Sequence, residues 1–152
     1  MSLKNKGASN KGFTLIELVV VIGILAVLLA IVLIAINPGR QFKQANDTKR
    51  RSDVSAIINA IGQYAADHKG TLPGGITATA QNISLTAANI CAAISPTYIS
   101  ALPVDPSAGA DAVIDCAVAY DTHYQVVVDT NGRVTVSAPD TELATPDISV
   151  MR

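Results

Sequence analysis

The sequence is poor in the groups from which active sites are built. It has no tryptophan, two phenylalanines, four tyrosines, two cysteines and two histidines. Around His68 and His123 no HExxH, GxSxG or phosphate-loop pattern occurs, so no catalytic constellation is legible and no enzyme is expected. Charged residues make up 15% of the chain against 49% hydrophobic ones, which is too apolar for a disordered polypeptide. A net charge of −1 gives the whole chain no general attraction for nucleic acid. Its 152 residues suit one small domain with appendages.

The shortage of charge is local. Residues 18–36, LVVVIGILAVLLAIVLIAI, contain nineteen residues without a charge. As a helix they span about 28 Å at about 1.5 Å per residue, close to the ~30 Å hydrocarbon core of a bilayer. A cleavable secretory signal has a shorter apolar core followed by small residues at its cut site. Here Lys4, Lys6 and Lys11 precede the run, and the polar part ends at Lys11-Gly12. Glu17 lies at the edge of the apolar segment, where an ionised carboxylate costs up to about 3 kcal/mol at mid-helix and less near the end. Either it sits at a first turn, favoured by the helix dipole, or it awaits a positive partner inside an apolar assembly.

Residues 11–17, KGFTLIE, followed by LVVVIGILAVL, resemble the class III signal of type IV prepilins and type II secretion pseudopilins. The resemblance implies that a prepilin peptidase cuts between Gly12 and Phe13 and that Phe13 becomes the N-methylated terminus. It implies that Glu17 acts in assembly. The chemistry suits these roles, since glycine leaves a protease groove unobstructed. Cleavage creates an α-ammonium with an ordinary pKa of about 7.7 to 8.0, a partner for Glu17 of a neighbouring subunit. Such a pair would set axial register between packed helices. Lys and Arg are more numerous after the apolar run than before it, which by itself would hold residues 40–51 in the cytoplasm. The resemblance implies the opposite orientation, and we adopt it.

Beyond Ile36, Asn37-Pro38-Gly39 is expected to break the helix at Pro38 and Gly39, either as a local opening within a longer spine or as the end of a membrane helix before a linker. Downstream, Val54, Ile57, Ile58, Ile61, Tyr64 and Ala65 recur at the spacing of one helical face, weakly extended by Phe42 and Ala45. Gly70 and Pro73 offer a stop. Lys49, Arg50 and Arg51, with Arg40 and Lys43, could meet phosphates of DNA or anionic lipid, yet no aromatic stacking platform accompanies them. A solvated face or pairing with acids of neighbouring subunits is the expected use, and DNA is a minor candidate partner.

The remainder reads as a head: a loop over 70–81, a short helix over 84–94, and strands over 112–120, 123–129 and 133–137. Asn131-Gly132 marks a hairpin between the last two strands. Residues 98–107, YISALPVDPS, resemble the LP-x-DP element that precedes the sheet in many pseudopilins. Cys91 and Cys116 would pair in an oxidising compartment, closing a loop of about 25 residues; in a reducing one they would be two small buried hydrophobes. Asp105, Asp111, Asp115, Asp140 and Glu142 could gather around calcium, but no EF-hand spacing is present and exposed turn acids are expected, with no metal or cofactor.

The expected fold class is α+β, a long N-terminal helix, first transmembrane and then amphipathic, packed against a small antiparallel sheet. The expected organisation is a leader over 1–12, a membrane or filament-core helix over 13–36, an amphipathic half over 37–69 and a head over 70–152. By resemblance, the chain is a structural subunit of a type IV pilus-like or type II secretion pseudopilus filament. Its implied partners are identical or homologous subunits, the prepilin peptidase, an assembly ATPase, a membrane platform protein and inner-membrane lipid before assembly. The implied location is the cytoplasmic membrane first and a surface or periplasmic filament afterwards. A low-copy binding module for DNA uptake or adhesion, and an uncleaved membrane-anchored domain, stand as the rivals.

Overall fold

The structure, a computed structural model, describes residues 12–152. Residues 1–11, which carry Lys4, Lys6, Lys11 and most of the expected leader, lie outside the described residues. The chain divides into two compact units, one ending at Gly39 and one running from Arg40 to Arg152.

In the first unit, α1 spans Leu15–Ile36 and none of its residues is buried. A helix that is apolar on every side has no preferred face to turn towards a core of its own, which marks it for a bilayer or for a bundle of like helices. Its 22 residues are long and apolar enough to cross a membrane. Asn37 ends it in the left-handed conformation, with φ at 47°, a geometry that asparagine tolerates better than most residues.

α2 spans Pro38–Asp67. Proline suits its first position, where the missing N–H would be unpaired anyway. The helical run is therefore interrupted at Asn37, whereas Gly39 lies inside α2. Val54, Ile57, Ile58 and Ile61 form its buried stripe. Gly70, at φ 85°, closes the C-terminal end by donating its N–H to the carbonyl of Ala65 at 2.7 Å.

The sheet is an antiparallel meander of β1 Gln81–Ser84, β2 Asp121–Val128, β3 Val134–Ala138 and β4 Ile148–Met151, in that spatial order. Alternation is clean on β3, where Val134, Val136 and Ala138 turn inward. They join Tyr124, Val126, Ile83, Ile148 and the α2 stripe in one hydrophobic core. Each large aliphatic side chain buried there contributes about 1.5 to 3 kcal/mol. The α+β architecture is as expected, and so is the hairpin at Asn131-Gly132: β2 and β3 pair from Gln125↔Ser137 to Val128↔Val134, and Gly132 takes φ 79° in the turn.

Three expectations on the head are corrected. Residues 112–120 are not a strand, and only Val113 bridges to Leu102. Asp115 accepts the N–H of Ala117 at 2.9 Å, a side-chain turn that bends the backbone away from a ladder and leaves Ile114 and Val118 exposed. The place beside β2 is taken by β1, in a segment expected to be loop and helix; of residues 84–94 only α3, Cys91–Ile94, is helical. β4 adds a fourth strand beyond the last one expected, held by pairs from Thr135↔Met151 to Ala138↔Ile148.

Candidate assembly site

Thr14 caps α1. Its Oγ1 accepts the N–H of Glu17 at 3.3 Å, and a Glu17 carboxylate oxygen accepts the N–H of Thr14 at 2.9 Å and the Thr14 hydroxyl at 2.8 Å. This reciprocal capping box pairs two of the donors left free at a helix start. The sequence carries the signal as Thr14-x-x-Glu17, which a reading of Glu17 as a charge alone does not use. The carboxylate does local work within one chain, and it stands four residues after Phe13, which is 93% exposed. Gly12 has nothing within 4 Å of where a Cβ would be, so both residues that flank the Gly12–Phe13 bond are open.

On the second unit the basic run behaves differently from its reading as a surface patch. Arg50 is fully buried. It donates from Nε to Asp105 at 2.7 Å and from Nη2 to the other Asp105 oxygen at 2.9 Å. Nη1 reaches Asp47 at 2.9 Å and Glu142 at 3.4 Å. Lys49, still exposed, is tied to Asp53 and to the carbonyl of Val104, and Arg51 is exposed as well, so of the three only Arg50 is turned inward. A guanidinium in this setting is withdrawn from any phosphate. The two Asp105 bonds raise its pKa most, against the opposing effect of burial, and Asp47 and Glu142 add to the rise.

Asp47 is the hinge of this cluster. Its two oxygens accept the N–H groups of Glu142, Leu143 and Ala144 at 3.0, 2.8 and 3.0 Å. Burial pushes its pKa up, but these donors and Arg50 outweigh that and bring it down to about 2. Asp105 follows the same pattern: burial works against its charge, while Arg50 and Ser107 hold its pKa below the ordinary range. Two loops, 102–108 and 139–147, are thus fastened to α2 through side chains that share one cation. No buried side-chain polar atom is unpaired among the described residues.

Cys91 and Cys116 are joined by a disulfide that pins the 110–121 loop to α3. The five acids considered for calcium do not gather in one place: Asp105 and Glu142 serve Arg50, Asp140 faces His123 at 3.2 Å, and Asp111 and Asp115 line a separate cavity, where Asp115 caps its own loop. Among the described residues no group of three or more His, Cys, Asp and Glu side chains could hold a metal ion. His123, in β2, takes φ 62°, with Asp121 accepting its N–H.

Residues 7–33 match the family model of the prokaryotic N-terminal methylation motif. No curated protein and no solved structure matches the chain. The motif supports a type IV prepilin or pseudopilin precursor, and points to a structural protein with a membrane-anchoring helix.

Proposed function

We propose that the chain is a structural filament subunit, cut by a prepilin peptidase between Gly12 and Phe13, N-methylated at Phe13 and polymerised through α1. The observation that carries this is the methylation motif over residues 7–33 leading into a 22-residue helix with no buried residue. Before assembly the bilayer covers that helix; in the filament, like helices from other copies cover it. Association then rests on packing and on penalties against misalignment, since lipid tails are as apolar as leucine.

In this reading Glu17 has two states. In the membrane it caps its own helix through Thr14. In the filament it pairs with the α-ammonium that cleavage creates on Phe13 of a neighbour, and fixes register. The interruption at Asn37, followed by Pro38 and Gly39, is where the core helix gives way to the head-bearing one. The partners are identical or homologous subunits, the prepilin peptidase, an assembly ATPase and its membrane platform protein. The subunit itself has no catalytic role, and the filament stands outside the cytoplasmic membrane.

The test is peptide mass spectrometry of material sheared from cells that express the full chain with a prepilin peptidase. A methylated Phe13 terminus in the sheared fraction supports the reading. An intact leader, found only in membranes, replaces it with an uncleaved anchored domain.

A further inference from the structure

Two features of the unit from Arg40 to Arg152 stand open at its surface. Phe42, near the start of α2, is 72% exposed and is the bulkiest apolar side chain left bare on that unit. Lys43 follows it and enters no ion pair among the described residues. Elsewhere an open cavity of about 390 Å³ is lined by Val104, Val113 and Tyr120, with the exposed Ile114 and Val118 beside them. Asp111, Asp115 and Asp121 line the same cavity, all three exposed and none in an ion pair among the described residues.

We propose that this cavity receives Phe42 of a second copy of the chain, with Lys43 of that copy set against the three aspartates. The occupant is argued from complementarity. An apolar floor with an acidic surround fits an aromatic knob that carries a cation beside it, and opposite charges steer and fix the orientation of such a contact. The volume is at the lower end of what holds a small organic group, room enough for one phenyl ring. The disulfide to Cys91 and the Asp115 turn hold the wall of the cavity in place before anything binds, which limits the ordering cost.

Geometry adds a second argument. Phe42 does not line the cavity of its own chain. The contact therefore joins two different patches, and a heterologous contact repeated from copy to copy builds an open helical array rather than a closed pair. That is the symmetry a filament requires. The inference rests on the filament reading and gives the heads a specific contact in addition to the packing of α1.

The test uses the full chain in cells that assemble it, with Phe42 replaced by the photoreactive p-benzoylphenylalanine. Irradiated sheared filaments are expected to yield a dimer whose cross-linked peptide falls within residues 104–121 of the other copy. Filaments that cross-link elsewhere, only within one chain, or not at all overturn the proposal. In parallel, Lys43→Glu is expected to lower the sheared yield about tenfold or more, because a like charge opposite a like charge is strongly penalised at an interface. Adding Asp111→Lys, which leaves the Asp115 turn in place, should restore the yield to within about twofold. An unchanged yield in Lys43→Glu, or no rescue, also overturns it. If the unmodified chain gives no sheared material with a Phe13 terminus, the filament reading itself fails, and that outcome is distinct from filaments that form without the contact.

Discussion

Arg50 holds both carboxylate oxygens of Asp105, from Nε and from Nη2, and neither side chain meets solvent. The pair spans 55 residues of sequence and joins α2 to the loop that enters the head. Because Asp47 and Glu142 share the same guanidinium, that one cation also draws in the loop between β3 and β4.

Removing one partner leaves an uncompensated buried charge. Arg50→Ala should therefore lower the unfolding free energy by about 3 to 5 kcal/mol, and Asp105→Asn by a similar amount. The neighbouring Arg51→Ala, on the exposed side, should stay within about 0.5 kcal/mol of the parent. Urea unfolding of the full chain in detergent, followed by the near-ultraviolet signal of the buried Tyr124, measures all three. Equal effects for Arg50 and Arg51 would refute the assignment.

Acid should loosen the same cluster. Asp47 has a folded pKa of about 2 against 3.8 when unfolded, so its contribution is fully present above pH 4 and fades as pH falls towards 2. The difference corresponds to about 2 kcal/mol. Asp105, also lowered, acts in the same direction. At the alkaline end the sign reverses: burial and the hydrogen bond to Asp53 raise the Tyr124 pKa above its ordinary 10.0. The Tyr124 contribution is thus complete below pH 10 and declines above it. A stability profile against pH with Asp47→Asn as control should show the acid limb shallower in the variant.

The sequence revealed what periodicity and short motifs encode. The charge-free run made α1 legible, the three-and-four spacing of Val54 to Ile61 made α2 legible, and Asn131-Gly132 marked the hairpin. It concealed what long-range pairing decides. Arg50 stands between Lys49 and Arg51 and looks like part of a basic surface; only the folded position of Asp105, which follows Pro103 and Val104, turns it inward. Residues 112–120 alternate like a strand, yet Asp115 bends them and the disulfide to Cys91 holds them off the sheet. β1 was hidden because four residues, QNIS, carry too little pattern to outweigh the loop signals around them.

Cys91 is fully buried and its bond to Cys116 closes a separation of 25 residues. Replacing both with alanine should cost about 3 kcal/mol by the chain-entropy argument. The parent in reductant should approach the double variant in its urea midpoint, while the variant should not respond to reductant. A midpoint in the variant equal to that of the oxidised parent would show that the core and the Arg50 cluster hold the loop without the bond.

The two roles of Glu17 can be separated by chemistry rather than by deletion. Glutamine at this position keeps an acceptor for the N–H of Thr14, since a capping box works with Glu or Gln, but it removes the charge. Thr14→Ala does the reverse: it removes the cap, at a cost of about 1 kcal/mol to the helix end, and leaves the carboxylate. If Glu17 served only to cap α1, Glu17→Gln would assemble like the parent and Thr14→Ala would be the weaker subunit. Pairing with the α-ammonium of a neighbouring Phe13 demands the charge itself, so Glu17→Gln and Glu17→Ala should both lose sheared filaments while Thr14→Ala keeps them. The sheared yield of the three variants, with cleavage at Gly12–Phe13 checked by peptide mass in each, decides between a capping residue and a register-setting one.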